Sequence, residues 1–291
     1  MTSVAVLGNL TVQAGRRRVE AVAAAIRARG RDVVVLDAYS TDDAAVAAHR
    51  AVSDGIDRLI AVGGDGVVHI AVNAVARSET PLGIVPHGSG NDFARALGLL
   101  DGTLDEHVER ALADAVPIDA MLTNHGWVAT VATLGFSGDV TARANAIRWP
   151  LGQLRYTVAT LAQLPRLRSI AVTIDVDGRR CDIETSLLAI GNTACFGGGM
   201  LVCPDAEPND GRLQVVCIGA VSRTTFLSVF PRVFSGRHVG HADVSTDSGS
   251  AVTIDGDDLD LWADGERLGS LPVTIEVVPG AIRVAGALLT R

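Results

Sequence analysis

The chain contains no lysine: all 25 of its Lys+Arg positions are arginine. That absence excludes chemistry built on a lysine amine, namely the Walker A phosphate lysine, the strand lysine of protein kinases and Schiff-base catalysis. Cysteine is sparse and shows no metal or redox spacing. Cys181, Cys195, Cys203 and Cys217 form no C-x-x-C, and no H-E-x-x-H or comparable cluster occurs, so reduced, buried thiols are expected. Residues 1–10 lack the basic flank of a signal peptide and read as a first strand. The longest uncharged run, 187–203, is interrupted by Asn192, Thr193 and four glycines, which makes it a poor membrane span. A net charge of −8 offers no general basic footprint, so no nucleic-acid partner is expected. These absences together predict a cytoplasmic protein.

What the chain has is length, apolar mass and glycine. Its 291 residues correspond to about two domains at roughly 150 residues each. A composition 48% apolar and 20% charged excludes disorder over most of that length. The 31 glycines point to sites in which main-chain N–H groups approach a ligand closely.

Two rhythms divide the sequence. Strand-like runs at 4–7, 32–36, 58–62 and 82–85 alternate with helical patterns at 16–29, from Thr41 to about 55, at 67–75 and at 92–97. This predicts a doubly wound parallel α/β domain over residues 1–118. Past that point, runs at 121–123 and 127–134 flank the hairpin signal Asn124-His125-Gly126. Further strands read at 170–176, 181–190, 213–218, 251–254, 259–263, 273–277 and 282–285, with helices near 151–164 and 222–235. Residues 119–291 are therefore expected to form a mostly antiparallel β-sandwich domain.

Two glycine-rich turns carry the chemical signal. Gly63-Gly64-Asp65-Gly66 and Gly88-Ser89-Gly90-Asn91 each leave an apolar strand and enter a helix, so in a parallel sheet both open on the edge where ligands bind. Main-chain N–H groups and helix starts at that edge favour phosphate. Each turn also carries an acid, Asp65 or Asp92. A carboxylate beside phosphate repels it unless a cation intervenes, which implies Mg²⁺.

The run Leu59-Ile60-Ala61-Val62-Gly63-Gly64-Asp65-Gly66, then Pro81-Leu82-Gly83-Ile84-Val85-Pro86-His87-Gly88-Ser89-Gly90-Asn91-Asp92-Phe93-Ala94-Arg95, resembles the catalytic domain of the diacylglycerol kinase and sphingosine kinase family. The resemblance continues through Pro117-Ile118-Asp119, Gly197-Gly198-Gly199-Met200, Pro204-Asp205-Ala206, Asn209-Asp210-Gly211-Arg212-Leu213 and Asp264-Gly265-Glu266. G-G-D-G alone is shared with NAD kinases and phosphofructokinases; the ordered set, spanning nearly the whole chain, is far more specific. It implies an N-terminal domain of NAD-kinase and phosphofructokinase type, an ATP cleft between the two domains, and transfer of the γ-phosphate of ATP to a lipid hydroxyl, with diacylglycerol yielding a phosphatidic-acid-type product.

Carried over position by position, the resemblance gives Gly63, Gly64, Gly66, Gly88, Ser89, Gly90 and Asn91 to the ATP phosphates and Asp65, Asp92 and Asp119 to Mg²⁺. Asp264 resembles the base for the lipid hydroxyl, with Glu266 beside the metal, and Asp210 a separate structural Mg²⁺ position. Phosphoryl transfer needs alignment and charge neutralisation more than covalent help, so a lysine-free site is no handicap. The chain departs from the family pattern at Val67, which replaces a threonine, at Ile70, which replaces an acid, and at Asn9-Leu10-Thr11, the remnant of an Asn-Pro-x-x-Gly loop in which Asn9 is the expected nucleotide contact. A silent nucleotide- or lipid-binding regulator and a soluble-substrate kinase of NAD-kinase type remain alternatives, and a homodimer stays open.

A lipid kinase must also meet a bilayer. Residues 141–180 hold seven arginines against two acids, Asp175 and Asp177, together with Trp149, Leu151, Leu154, Tyr156, Leu161 and Leu164. This stretch is the expected peripheral contact with anionic lipid.

Overall fold

The computed structural model describes residues 3–136, 140, 143 and 153–289, those at 153–156 without their side chains. The described chain forms two compact units, Met1–Ala120 with Pro279–Arg291, and Met121–Val278. The expected partition at 118/119 did not foresee the return of the C-terminal segment to the first unit. Pro279-Gly280 reads as a strand break, yet β15 (Val273–Ala285) runs through it. Its last residues join the first unit's sheet, with Val284 opposite Leu82.

In the first unit, β1 (Ser3–Gly8), β2 (Asp32–Val35), β3 (Arg58–Gly63) and β4 (Leu82–Pro86) are parallel, in the order β2-β1-β3-β4. The buried residues of α1 (Gln13–Arg27), Val19, Val22, Ala23 and Ile26, follow the 3.6-residue helical period, so one stripe faces the sheet. Each such valine or isoleucine contributes on the order of 1.5–3 kcal/mol when fully buried. Ser40 starts α2 (Thr41–Ser53) by accepting the Asp43 N–H at 3.0 Å. α1 packs with α5 (Leu104–Leu112), and α2 with α3 (Asp65–Val75), which makes the sheet doubly wound as expected. α5 was not foreseen, although Thr103 and Glu106 form a complete capping box at its start.

The second unit is antiparallel in every described strand pair. After β5 (Ala115–Thr123) come β6 (Gly126–Val128), β7 (Val131–Gly135), α6 (Gln153–Gln163), β8 (Ile170–Val176), β9 (Arg179–Gly191) and β10 (Leu213–Gly219). Then follow α7 (Arg223–Val233), β11 (Val244–Gly249), β12 (Ala251–Asp255), β13 (Asp260–Ala263) and β14 (Glu266–Ser270). The order is β14-β13-β7-β9-β8-β12-β15, with β10 pairing both β9 and β11. Strand β9 shows the layering: Leu188 and Ile190 face one apolar cluster, while Leu187 and Ala189 face another that includes residues of α6 and α7. The expected single strand over 127–134 is instead two, β6 and β7, broken at Ala129 and Thr130. β11 and β14 lay outside the sequence reading; both are short, exposed and polar, so neither carries a strong apolar alternation.

Candidate active site

The two glycine turns are packed against each other. β3 and β4 are neighbours, with Gly63 opposite Pro86, and the His87 N–H donates to the Gly63 carbonyl at 2.8 Å. A Cβ on Gly88 would lie 2.4 Å from the Gly64 Cα, and one on Gly63 would lie 2.6 Å from a Val67 methyl, so only glycine fits at either position. Asn91 has a left-handed backbone (φ 54). Its side chain closes the second turn, accepting the Gly88 N–H at 2.9 Å and donating to the Gly88 carbonyl at 2.8 Å.

Asp65, the first residue of α3, accepts the N–H of Asn91 at 2.9 Å and that of Asp92 at 2.6 Å, and so holds the start of α4 (Asp92–Ala96). The space beside Gly90 is where the two acids meet. A Cβ there would be 2.4 Å from Asp65 Oδ2 and 3.6 Å from Asp92 Oδ2. Arg95 donates to the Gly90 carbonyl at 3.2 Å, with its Nε 4.0 Å from the buried Asp92 carboxylate. Ser89 and Gly66 complete the turns. Asn9 leaves β1 at the same sheet edge, its Oδ1 accepting from the N–H and hydroxyl of Thr11 at 2.9 and 2.6 Å. A Cβ on Gly15 would sit 2.2 Å from the Asn9 carbonyl oxygen, so the glycine that this loop requires lies further along than a family-type loop suggested.

The structure does not bring Asp119 to this cluster. Its carboxylate accepts the Gly280 N–H at 2.8 Å, and the neighbouring Ala281 carbonyl accepts from Arg77, just past the end of α3. Asp65 stands at the other end of that helix, on the order of 15 Å away. Asp210 is exposed, accepts the Arg212 N–H at 2.8 Å, and lines a polar pocket with Asp205 and Asp247. Among the described residues no three acids, histidines or cysteines are gathered as a metal cluster. Mg²⁺, however, takes as few as one or two carboxylates and completes its shell with phosphate and water. Asp65 and Asp92, facing one cradle that a Cβ would fill, fit that demand.

In the second unit, the break between β6 and β7 has a use. Asp264 occupies the two-residue turn between β13 and β14, where it and Gly265 have φ of 50 and 87. Its carboxylate accepts the N–H groups of Ala129 and Thr130 at 3.3 and 3.2 Å and the Thr130 hydroxyl at 2.5 Å. Asn192 satisfies the matching carbonyls: its side chain donates to Ala129 at 3.0 Å and its N–H to Thr130 at 2.9 Å. The interrupted strand thus keeps its hydrogen bonds while orienting a buried acid. Glu266, the other late acid, is exposed at the start of β14. Thr130 and Asn192 escaped the sequence reading, since nothing local links them to Asp264.

Strands β7 and β9 also lead to a small apolar pocket that opens toward solvent. Four of the chain's six phenylalanines line it: Phe136, Phe196, Phe226 and Phe230. Phe136 and Phe226 meet edge to face at a centroid distance of 5.1 Å. Gly197, Gly198 and Gly199, all at positive φ, turn the chain so that Phe196 and Met200 exchange two 3.0 Å backbone hydrogen bonds and both face the pocket. His238 is a further wall residue, and one that no sequence signal marked. It is wholly buried, its Nε2 3.0 Å from the Val202 carbonyl, and burial pushes its pKa below the usual imidazole range.

Glycine loops aimed from a parallel sheet at a shared acidic cradle, in a chain whose second unit orients a buried carboxylate, define a phosphotransferase. Comparison with known proteins places it more closely. Residues 5–122 match the diacylglycerol kinase catalytic domain, and residues 130–286 the YegS C-terminal NAD kinase beta sandwich-like domain. The chain is 37% identical over 268 residues to a diacylglycerol kinase of Mycobacterium tuberculosis, covering 90% of this chain and 87% of that one. In fold it is similar to the crystal structure of a diacylglycerol kinase from Bacillus anthracis, with a TM-score of 0.72 at 18% identity over 98% and 96% of the two chains. An NAD kinase from Archaeoglobus fulgidus, solved in complex with ATP, gives 0.57 at 14% identity over 97% and 93%. The chain belongs to the diacylglycerol kinase catalytic family, and its reaction is phosphoryl transfer to an alcohol group.

Proposed function

We propose that this protein transfers the γ-phosphate of ATP to the hydroxyl of a membrane lipid, with diacylglycerol as acceptor and phosphatidic acid as product. The observation that carries the lipid assignment is the apolar pocket reached along β7 and β9, the strands that adjoin Thr130 and Asn192 beside Asp264. Five residues of β-structure, about 17 Å, separate Thr130 from Gly135, which Phe136 follows. That span suits a long acyl chain whose headgroup end lies at Asp264. In this reading, Asp264 takes the proton as the lipid oxygen attacks the γ-phosphorus and the bond to the ADP oxygen breaks. Thr130 and the two backbone N–H groups hold the carboxylate still while this happens.

The glycine loops supply N–H groups to the phosphates, and Asp65 and Asp92 would hold Mg²⁺, which neutralises phosphate charge when bound. The lipid surface is met through α6 and α7. Residues 140–174 carry five arginines and 219–242 three, with no acid in either stretch of this acidic chain. Val158, Leu161 and Leu227 are 43%, 50% and 42% exposed on those helices, an apolar and basic combination suited to an anionic bilayer. Arg148, Trp149 and Leu151 of the expected contact, and the side chains of Leu154, Arg155 and Tyr156, lie outside the described residues. Among the described residues no helix is long and apolar enough to cross a membrane.

Purified protein, labelled ATP, Mg²⁺ and a lipid panel provide the test. Labelled phosphatidic acid is expected from diacylglycerol. Folded protein that labels no lipid, or labels NAD instead, would overturn the proposal.

A further inference from the structure

Strand β2 ends the sheet of the first unit: it pairs with β1 on one side, and its other side is an open edge. The Leu36 N–H donates to the Val6 carbonyl at 2.9 Å, so by the alternation of a parallel ladder the backbone groups of Asp32 and Val34 also turn toward β1. Those of Val33 and Val35 therefore point outward. Arg27 reaches the Val33 carbonyl at 3.4 Å, a length at which a well-placed backbone N–H would displace it. The sequence along this edge is self-complementary. Val33 and Val35 pack on the α1 side, which puts Val34 on the other face, where it is 54% exposed. Arg31 and Asp37 stand three residues to either side of Val34, both exposed and, by the same alternation, both on the α1 face. Among the described residues neither makes an ion pair. The charge that Arg31 does meet is a like one, since burial and then Arg31 push the Arg58 pKa down.

We propose that β2 is a dimer edge: two copies of this chain pair their β2 strands antiparallel about a two-fold axis at Val34, which continues one sheet into the other. In that register Val33 and Val35 exchange four backbone hydrogen bonds with Val35 and Val33 of the other copy. Arg31 then faces Asp37 twice, and the two Val34 side chains meet across the central, non-hydrogen-bonded pair. Moving the axis by one residue sets Arg31 opposite Val35 or Tyr39 and loses both charge pairs, so the charges select one register. The two β1 strands would lie three strand spacings apart, about 14 Å. That leaves room for the α1 of each copy, a helix about 10–12 Å wide with its side chains.

Sedimentation velocity of the whole protein over a concentration series provides the test, and a reversible monomer–dimer equilibrium is expected. Arg31→Asp sets like charges opposite each other twice and should weaken the dimer by at least about tenfold. Adding Asp37→Arg to that variant should restore it, which a general change of surface charge would not do. Val34→Cys, made in a Cys181→Ser background because Cys181 is also exposed, should cross-link the two copies under mild oxidation. The Cα atoms of such a central pair lie about 4.5 Å apart, within disulfide reach. In the wild type, hydrogen exchange at the Val33 and Val35 amides should slow as concentration rises while that of Val34, bonded to β1, does not change. This keeps the test decisive should a variant not fold. A monomer at every concentration would leave Arg31 and Asp37 as charges that guard an open edge, and would overturn the inference. So would a dimer indifferent to Arg31→Asp in which the Val33 and Val35 amides stay unprotected, since it forms on another surface.

Discussion

Asp65 Oδ1 lies 2.6 Å from the backbone nitrogen of Asp92, 27 residues further along the chain. With Oδ2 on the Asn91 N–H at 2.9 Å, one side chain at the head of α3 fixes the head of α4. Asp65 therefore does two jobs, shaping the phosphate loops and facing the cradle beside Gly90. Replacing it by asparagine puts an amide donor against at least one N–H and removes a charge-assisted bond worth about 1.5–3 kcal/mol. Asp65→Asn is expected to lower turnover by at least about tenfold to a hundredfold. It should also speed hydrogen exchange at the Asn91 and Asp92 amides. Lost turnover with unchanged exchange would show that the structural half of this role is mistaken.

Gly90 tests the cradle without touching a charge. A methyl there would sit 2.4 Å from Asp65 Oδ2, closer than any real contact, and would occupy the space between the two carboxylates. Gly90→Ala is expected to weaken Mg²⁺-dependent ATP binding by at least about tenfold, measured by calorimetry with and without the metal. Unchanged affinity would move the metal away from Asp65 and Asp92.

Thr130 is the positioning partner of Asp264, with its hydroxyl 2.5 Å from Oδ1. Thr130→Val keeps the shape and removes the donor. It should reduce kcat by about tenfold with little change in KM for lipid, and Thr130→Ser should restore it. Asp264→Asn should lose more, about a hundredfold or beyond, while lipid still binds. A KM effect alone from Thr130→Val would assign Thr130 to lipid binding instead.

These three residues also show what was readable from the chain. Asp65, Gly90 and Asn91 were legible because strand, glycine turn and helix follow one another locally and the parallel sheet places both turns on one edge. Asp264 could be named by resemblance, but its setting could not: Thr130 lies 134 residues away. The strand break that frees its N–H groups looks, in sequence, like uninterrupted β pattern from 127 to 134. Asp119 failed to join the metal acids for a related reason, since its place depends on β15 returning from the second unit to present Gly280. Asn192 was read only as an interruption of an apolar run, whereas it braces both carbonyls of the break. Non-local pairing is invisible to periodicity.

Acid sensitivity should arrive in two stages. His107 and His238 are held below the usual imidazole range, chiefly by burial, with Arg110 and Arg18 adding to the effect at His107. Both stay neutral in the folded chain while the unfolded chain takes up protons near pH 6.5. Stability is then highest above about pH 6.5 and declines as pH falls through it. Asp247 and Asp260 are held low by hydrogen bonds from Arg179 and Arg267, and Asp177 by the Ala251 and Ser250 N–H groups. Their contribution is present above about pH 3.9 and is lost below it. Thermal melts should fall from about pH 7.5 to about pH 5.5, with a further drop below about pH 4. His238→Leu should flatten the first stage; a first stage that keeps its full size in both His238→Leu and His107→Leu would remove histidine as its cause.

The basic surface of α6 and α7 gives the last prediction. Arg166, Arg168 and Arg232 are exposed, and no acid lies between residues 140 and 174 to offset the first two. An arginine near an anionic bilayer is worth about 1 kcal/mol. Changing all three to glutamine should therefore lower partitioning onto phosphatidylserine-containing vesicles by on the order of a hundredfold. The same loss should appear gradually in the wild type as salt is raised, because the attraction acts over a Debye length. Turnover on lipid dispersed in neutral detergent should hardly change, since the proposed chemistry uses none of the three. Vesicle binding that ignores both the substitutions and the salt would leave these arginines as ordinary solvated side chains, and the exposed Val158, Leu161 and Leu227 as the basis, among the described residues of these helices, for meeting a membrane.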